Sequence, residues 1–125
     1  MATTTPEQVI ERFAALLANG DIDALVDLYE PEAVFAPRPG EAVTGHDAIR
    51  EALGGLVELR PQLDGEIRDV LVSDDTALIS NRWGLRGTGP DGAPVEMGGT
   101  SADVLRRDPD GAWRIVIDNP WGSGA

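Results

Sequence analysis

The spacing of apolar residues changes once along this chain, at Pro61, and that change limits what the chain can fold into. Before it, Val9, Phe13, Leu16 and Leu17 recur at helical intervals, as do Ile22, Leu25, Val26 and Tyr29, and then Ile49, Leu53, Leu56 and Val57. After it, apolar and polar residues alternate between turn-forming stretches at Ser73-Asp74-Asp75, "GTGPDG" and "DPDG". Three helices followed by four consecutive antiparallel strands predict an α+β domain, its N-terminal helices packed on one face of a curved antiparallel sheet. With 125 residues the chain can bury one core, so residues 1–125 are read as a single domain.

Local signals support these elements. Thr5-Pro6-Glu7-Gln8 combines a capping threonine, proline at the first helical position and glutamine three residues after the cap, and Gly20 stops the first helix. Asp21 is placed to cap the second helix, which Pro31 should end, and a short strand over 33–36 follows. Thr44 to Asp47 resembles a cap for the third helix, which Gly54-Gly55 weakens by roughly 1 kcal/mol each relative to alanine. In the long strand after Asp75, Ile79, Asn81, Trp83 and Leu85 share one face, and Ser80, Arg82, Gly84 and Arg86 the other.

Composition removes several classes of function. A net charge of −12 opposes binding to nucleic acid or to an anionic membrane surface. The chain has no cysteine and one histidine, which excludes disulfide and thiolate chemistry and leaves little with which to build a transition-metal site. The start, "MATTTPEQVIERF", lacks the basic and apolar regions of a leader, and no apolar run is long enough to span a bilayer, so a soluble, cytoplasmic protein is expected. "GTGPDG" fits G-x-G-x-x-G, but Ala93-Pro94-Val95-Glu96 leads into a strand where a dinucleotide site needs a helix N-terminus, so it reads as a hairpin turn. "DIDALVD" and the Asp-rich turns lack the ligand spacing of a calcium loop.

Five side chains remain as candidates for chemistry. His46, the lone imidazole, falls in the first turn of the third helix, where a surface position is expected. Tyr29 is either a core residue or a phenol directed into a cavity. Asp103 lies in "TSADVLRR", in the middle of a strand, where aspartate is uncommon. It shares a face with Met97, Gly99, Ser101 and Leu105. Facing inward, it would be a carboxyl with a raised pKa; facing outward, it would pair with Arg82 or Arg86. In the last strand, "AWRIVIDNPWG", alternation puts Trp113, Ile115, Ile117 and Asn119 on one face, so Asp118 and Asn119 enter one cavity only if a bulge intervenes. That pattern favours Asn119 as the cavity group and leaves Asp118 for an arginine or a second chain.

"RFAALLANGDIDALVDLYEPEAVF", "GHDAIREAL" and "DGAWRIVIDNPWG" resemble the nuclear transport factor 2-like superfamily, and within it the SnoaL-like and ketosteroid isomerase-like small proteins. The resemblance covers nearly the whole chain. It implies a cone in which three helices and a bent sheet enclose a deep, largely apolar pocket, commonly in a homodimer. It also implies that Asp103 takes the place of the protonated aspartate of ketosteroid isomerases. Phe13 stands where that family has its donating tyrosine, and Pro37 where it has its general base. Neither can move a proton, so conventional steroid isomerisation is not expected.

The resemblance thus implies a cofactor-independent acid–base enzyme without metal, an isomerase, cyclase or hydrolase acting on a bulky apolar polyketide-, steroid- or terpene-like molecule. Asp103 is its candidate catalytic residue. Trp83, Asn81, Asn119, Tyr29, Phe13 and Leu53 are its candidate substrate contacts. The alternative is a dimer that binds or carries such a ligand without turnover.

Overall fold

The computed structural model describes residues 4–122. Helix α1 (Pro6–Asn19) begins at Thr5, whose hydroxyl accepts from the Gln8 N–H while the Gln8 side chain accepts from the Thr5 N–H. It ends at Gly20, in the left-handed conformation at φ 70°, which only glycine adopts without strain. Helix α2 (Ile22–Asp27) is capped by Asp21, which accepts from the Ala24 N–H at 3.2 Å. Then come strands β1 (Tyr29–Phe35) and β2 (Val43–Thr44), helix α3 (His46–Val57), and strands β3 (Gln62–Ser73), β4 (Thr76–Thr88), β5 (Pro94–Thr100), β6 (Ala102–Arg107) and β7 (Trp113–Asn119).

The sheet runs β2-β1-β7-β6-β4-β3, with β5 also paired to β4. All pairings are antiparallel except β1 with β7, which is parallel. This parallel pair departs from the purely antiparallel sheet expected. β1 also begins earlier than expected: Tyr29 opens it and does not close α2, and Pro31 lies within it. The β1–β7 ladder is irregular between Tyr29 and Val34, so the proline's missing N–H removes no regular rung.

The expected threonine cap of α3 is not formed. Gly45 is the N-cap and makes no side-chain bond there. His46 instead places Nε2 2.8 Å from the Tyr29 carbonyl oxygen, tying the helix start to β1. The helix continues through Gly54 and Gly55, and its end lies on β4, where Thr88 N–H donates to the Leu59 carbonyl at 2.7 Å. A Cβ on Gly87 would lie 2.7 Å from that carbonyl oxygen, so glycine is what lets the two elements approach.

Strands β5 and β6 are one strand in register. Arg82 faces Thr100 and Ile79 faces Asp103 with no residue gained or lost between them. The ladder is interrupted only at Ser101, whose hydroxyl, in place of its carbonyl, accepts from the Asn81 N–H at 3.1 Å. Val9, Leu25, Ile49, Leu53, Ile79 and Leu105 have no exposed surface and form the centre of the core between helices and sheet.

Candidate functional site

A cavity of about 110 Å³ lies between α1 and the inner face of the sheet. Phe13 and Ile10 of α1 form one wall, Trp83 and Leu85 of β4 and Met97 of β5 another, and Pro37 and Trp121 also border it. Its polar groups are Asn81, Ser101, Asp103 and Asp118. The cavity wall is otherwise apolar, with no arginine or histidine among its lining residues.

Asp103 points inward, 5% exposed, so its pairing with Arg82 or Arg86 does not occur. Arg86 instead lies 3.8 Å from Asp64 on the other face of the sheet. Directly across the ladder from Asp103 is Asp118, also buried. Alternation alone would have turned Asp118 outward, but the β6–β7 register shifts between Val104, which faces Ile117, and Leu105, which faces Ile115. Val116 is the extra residue of a bulge. It reverses the parity of the strand, so Ile115 and Asp118 are both buried while Ile117 is exposed.

The expectations for Asp118 and Asn119 are therefore corrected together. Asp118 has no arginine partner: Tyr29 donates its phenol to Asp118 Oδ2 at 2.5 Å. The Asn119 side chain does not line the cavity, because its amide donates to the Gly122 carbonyl at 2.7 Å and accepts from the Trp121 N–H. Its backbone N–H still serves the site by donating to Asp103 Oδ1 at 3.0 Å.

The electrostatics follow from burial. Desolvation pushes the Asp103 carboxyl well above the usual carboxylate range, and the Asp118 charge and hydrogen bond push it further, against the Ser101 hydroxyl and the Asn119 N–H. Burial also raises Asp118, opposed by its hydrogen bonds with Asp103 and Tyr29. Burial, then the Asp118 charge, holds the Tyr29 phenol well above its ordinary value, so Tyr29 remains a donor. The Tyr29 hydroxyl, Asp118 and Asp103 thus stand in line, and burial favours the protonated form of both carboxyls, with the Asp118 charge adding to the effect at Asp103.

Of the other candidates, Trp83, Asn81 and Phe13 border the cavity. Tyr29 is a core residue, 1% exposed and stacked edge-on between Phe13 and Phe35, which reaches the site only through its hydroxyl. Leu53 lies wholly in the core and does not touch the cavity. His46 is half-buried beneath β1, outside the cavity lining. Sequence reasoning turned Asp118 away from the cavity, and it did not place the segment after β7. There Trp83 Nε1 donates to the Pro120 carbonyl at 2.7 Å, Trp121 Nε1 donates to the Ala36 carbonyl at 3.0 Å, and the two indoles meet edge to face at 5.4 Å. Among the described residues no cluster of histidine and carboxylate side chains could hold a metal ion, and no helix is long and apolar enough to cross a membrane.

With the pocket and its carboxyl pair described, the family can be assigned. The family model for the SnoaL-like domain matches residues 10–116. This chain belongs to the SnoaL-like family. As a SnoaL-like protein it has the nuclear transport factor 2-like fold. One similar solved structure is a candidate scytalone dehydratase from Novosphingobium aromaticivorans, 15% identical, with a TM-score of 0.81 over 95% of this chain and 91% of that one. Another is an NTF2-like protein with a cystatin-like fold from the same organism, 24% identical, with a TM-score of 0.74 over 94% and 80%. A third is SalBIII, an epoxide hydrolase/cyclase-like enzyme of pyran ring formation in the polyether salinomycin, 18% identical, with a TM-score of 0.66 over 94% and 91%. These identities establish a shared fold for the SnoaL-like protein and nothing finer. Among curated proteins, none matches its sequence.

Proposed function

We propose that this SnoaL-like protein is a cofactor-independent acid–base enzyme acting on an apolar ring-containing molecule. The observation that carries the proposal is the Asp103–Asp118 pair in a largely apolar cavity. Asp103 is its catalytic residue: it gives its proton to a substrate oxygen, and the pair recovers a proton from another substrate atom or from water. The carboxyls end as they began, and no electrons are transferred, which suits isomerisation, ring opening or closure, and gain or loss of water. The names of the fold relatives, dehydratase and epoxide hydrolase/cyclase-like, fall in the same redox-neutral range. Phe13 and Pro37 border the cavity and neither can move a proton, so the double-bond isomerisation of ketosteroid isomerases is not proposed.

A volume of about 110 Å³ limits what enters fully. A cavity of about 150 Å³ accepts benzene, so this smaller one encloses only part of one ring of a polyketide-, steroid- or terpene-like substrate, and the rest extends toward solvent. To test this, cyclic epoxides and cyclic β-hydroxyketones are incubated with the wild type and with Asp103→Asn. Turnover should fall by about 10²–10⁴-fold in the variant while binding persists. Binding with no turnover by the wild type would identify a carrier, and unchanged turnover in the variant would remove Asp103 from the mechanism.

We also propose a homodimer, for which the outer side of the sheet offers a candidate face. Leu71, Leu78, Val104, Ile117 and Val34 lie in register across five neighbouring strands, and Leu71, Leu78 and Ile117 are 57%, 44% and 41% exposed. A continuous apolar row of this kind is the sort of surface a second copy covers. Sedimentation equilibrium should give a dimer for the wild type and a monomer for Leu78→Glu. A monomeric wild type at tens of micromolar would dismiss the face.

A further inference from the structure

The carboxyl pair leaves one polar group of the cavity without a protein partner. Asn81 is 8% exposed, and its Oδ1 is buried with no hydrogen bond among the described residues. Its backbone is satisfied on both sides: Ser101 Oγ accepts its N–H, and its carbonyl accepts the Ser101 N–H at 2.8 Å. The side-chain amide is therefore not used to hold the strands together. Buried acceptors in native proteins are nearly always paired, and a leucine of similar volume would suit the surrounding apolar wall better.

The neighbouring backbone keeps the amide clear. On the adjacent strand Gly65 faces Trp83 in the ladder, and a Cβ on it would lie 3.0 Å from Asn81 Oδ1 and 3.1 Å from Nδ2. Asn81 and Asp103 project from the same sheet face on paired strands, offset by one diagonal, so their Cβ atoms are roughly 7 Å apart, and both side chains border one cavity.

Resting on the acid–base reading above, we infer that Asn81 is a specificity-determining residue that selects ring ligands carrying a hydroxyl, whose proton its Oδ1 accepts while the same ring presents its reacting atom to Asp103. The substrate class is then a hydroxylated ring in which the hydroxyl and the reacting position are close neighbours. A neutral hydroxyl fits better than an anion, because the lining holds no cation to balance a negative charge.

Phenol and toluene, matched in size and differing in the hydroxyl, separate the possibilities. Their affinities are measured by ¹H–¹⁵N shift titration of the wild type and of Asn81→Leu. The substitution should lower the affinity for phenol relative to toluene by about tenfold, the worth of one hydrogen bond. In the wild type, the Asn81 side-chain amide resonances should move further at saturation with phenol than with toluene, which shifts them only by its ring current, a readout that does not need the variant to fold. A phenol-to-toluene ratio unchanged by the substitution, or an amide moved no further by phenol than by toluene, overturns the role of Asn81 and leaves the acid–base reading standing. Failure of both compounds to bind the wild type overturns the cavity as a ligand site, and both proposals with it.

Discussion

Asp103→Asn should be more stable than the wild type at neutral pH, and the difference should grow as pH rises. The free chain releases the Asp103 proton near about pH 3.9. The folded protein retains it to higher pH because the carboxyl is buried beside Asp118. Between these two values the folded state binds the extra proton, so this stabilising contribution is complete below the unfolded value and is lost as pH rises through the folded one. The wild type should lose up to about 1.4 kcal/mol per pH unit across that window. Asparagine needs no proton, yet its amide can donate to Asp118 and accept from the Asn119 N–H, two of the contacts Asp103 makes now beside the Ser101 hydroxyl. Urea unfolding of both proteins from about pH 4 to about pH 8 tests this. Parallel stability curves would show that Asp103 titrates like an exposed carboxylate.

The second large effect is expected far from any ligand. Leu53→Ala removes a side chain with no exposed surface, surrounded by the core and separate from the cavity lining. It should cost about 2–5 kcal/mol with an unchanged urea m-value. Toluene affinity should change little in the protein that remains folded. A loss of ligand affinity without loss of stability would restore Leu53 to the set of ligand contacts.

The helical half of the fold was legible because its signals are local. Thr5 and Gln8 cap α1 through atoms three residues apart, and Gly20 ends it by its own backbone conformation. The face of β4 bearing Ile79, Asn81, Trp83 and Leu85 was legible for the same reason, since alternation within an unbroken strand needs no partner to define it. Tyr29 was misassigned because helical spacing continued past the point where pairing with Ile115 of β7 draws the chain into the sheet. That parallel contact joins residues far apart in sequence, and no local pattern records it.

The candidate site divides along the same line. Asp103 was legible as a misfit: a carboxylate in a strand, on the face of Met97 and Leu105. Asp118 was not, because its direction depends on a bulge at Val116 that "RIVIDN" does not announce. Bulges arise from how two strands pair, and here the partner's positions decide which residue is extra. The packing of Trp121 was not legible for a related reason, since it lies beyond the last strand and reaches the cavity only by folding back over Ala36.

The bulge also bears on how proteins of this fold can change over generations. Because Val116 is the unpaired residue, loss of its codon would leave Ile115, Ile117 and Asp118 in regular alternation, with Asp118 still turned inward opposite Asp103. Keeping the length while straightening the strand would instead turn Asp118 outward and leave Asp103 as a lone pocket carboxyl. Lineages built on this scaffold can therefore shed a residue here and keep both carboxyls, or keep every residue and lose one, so chain length at this point does not record which of them a descendant retains.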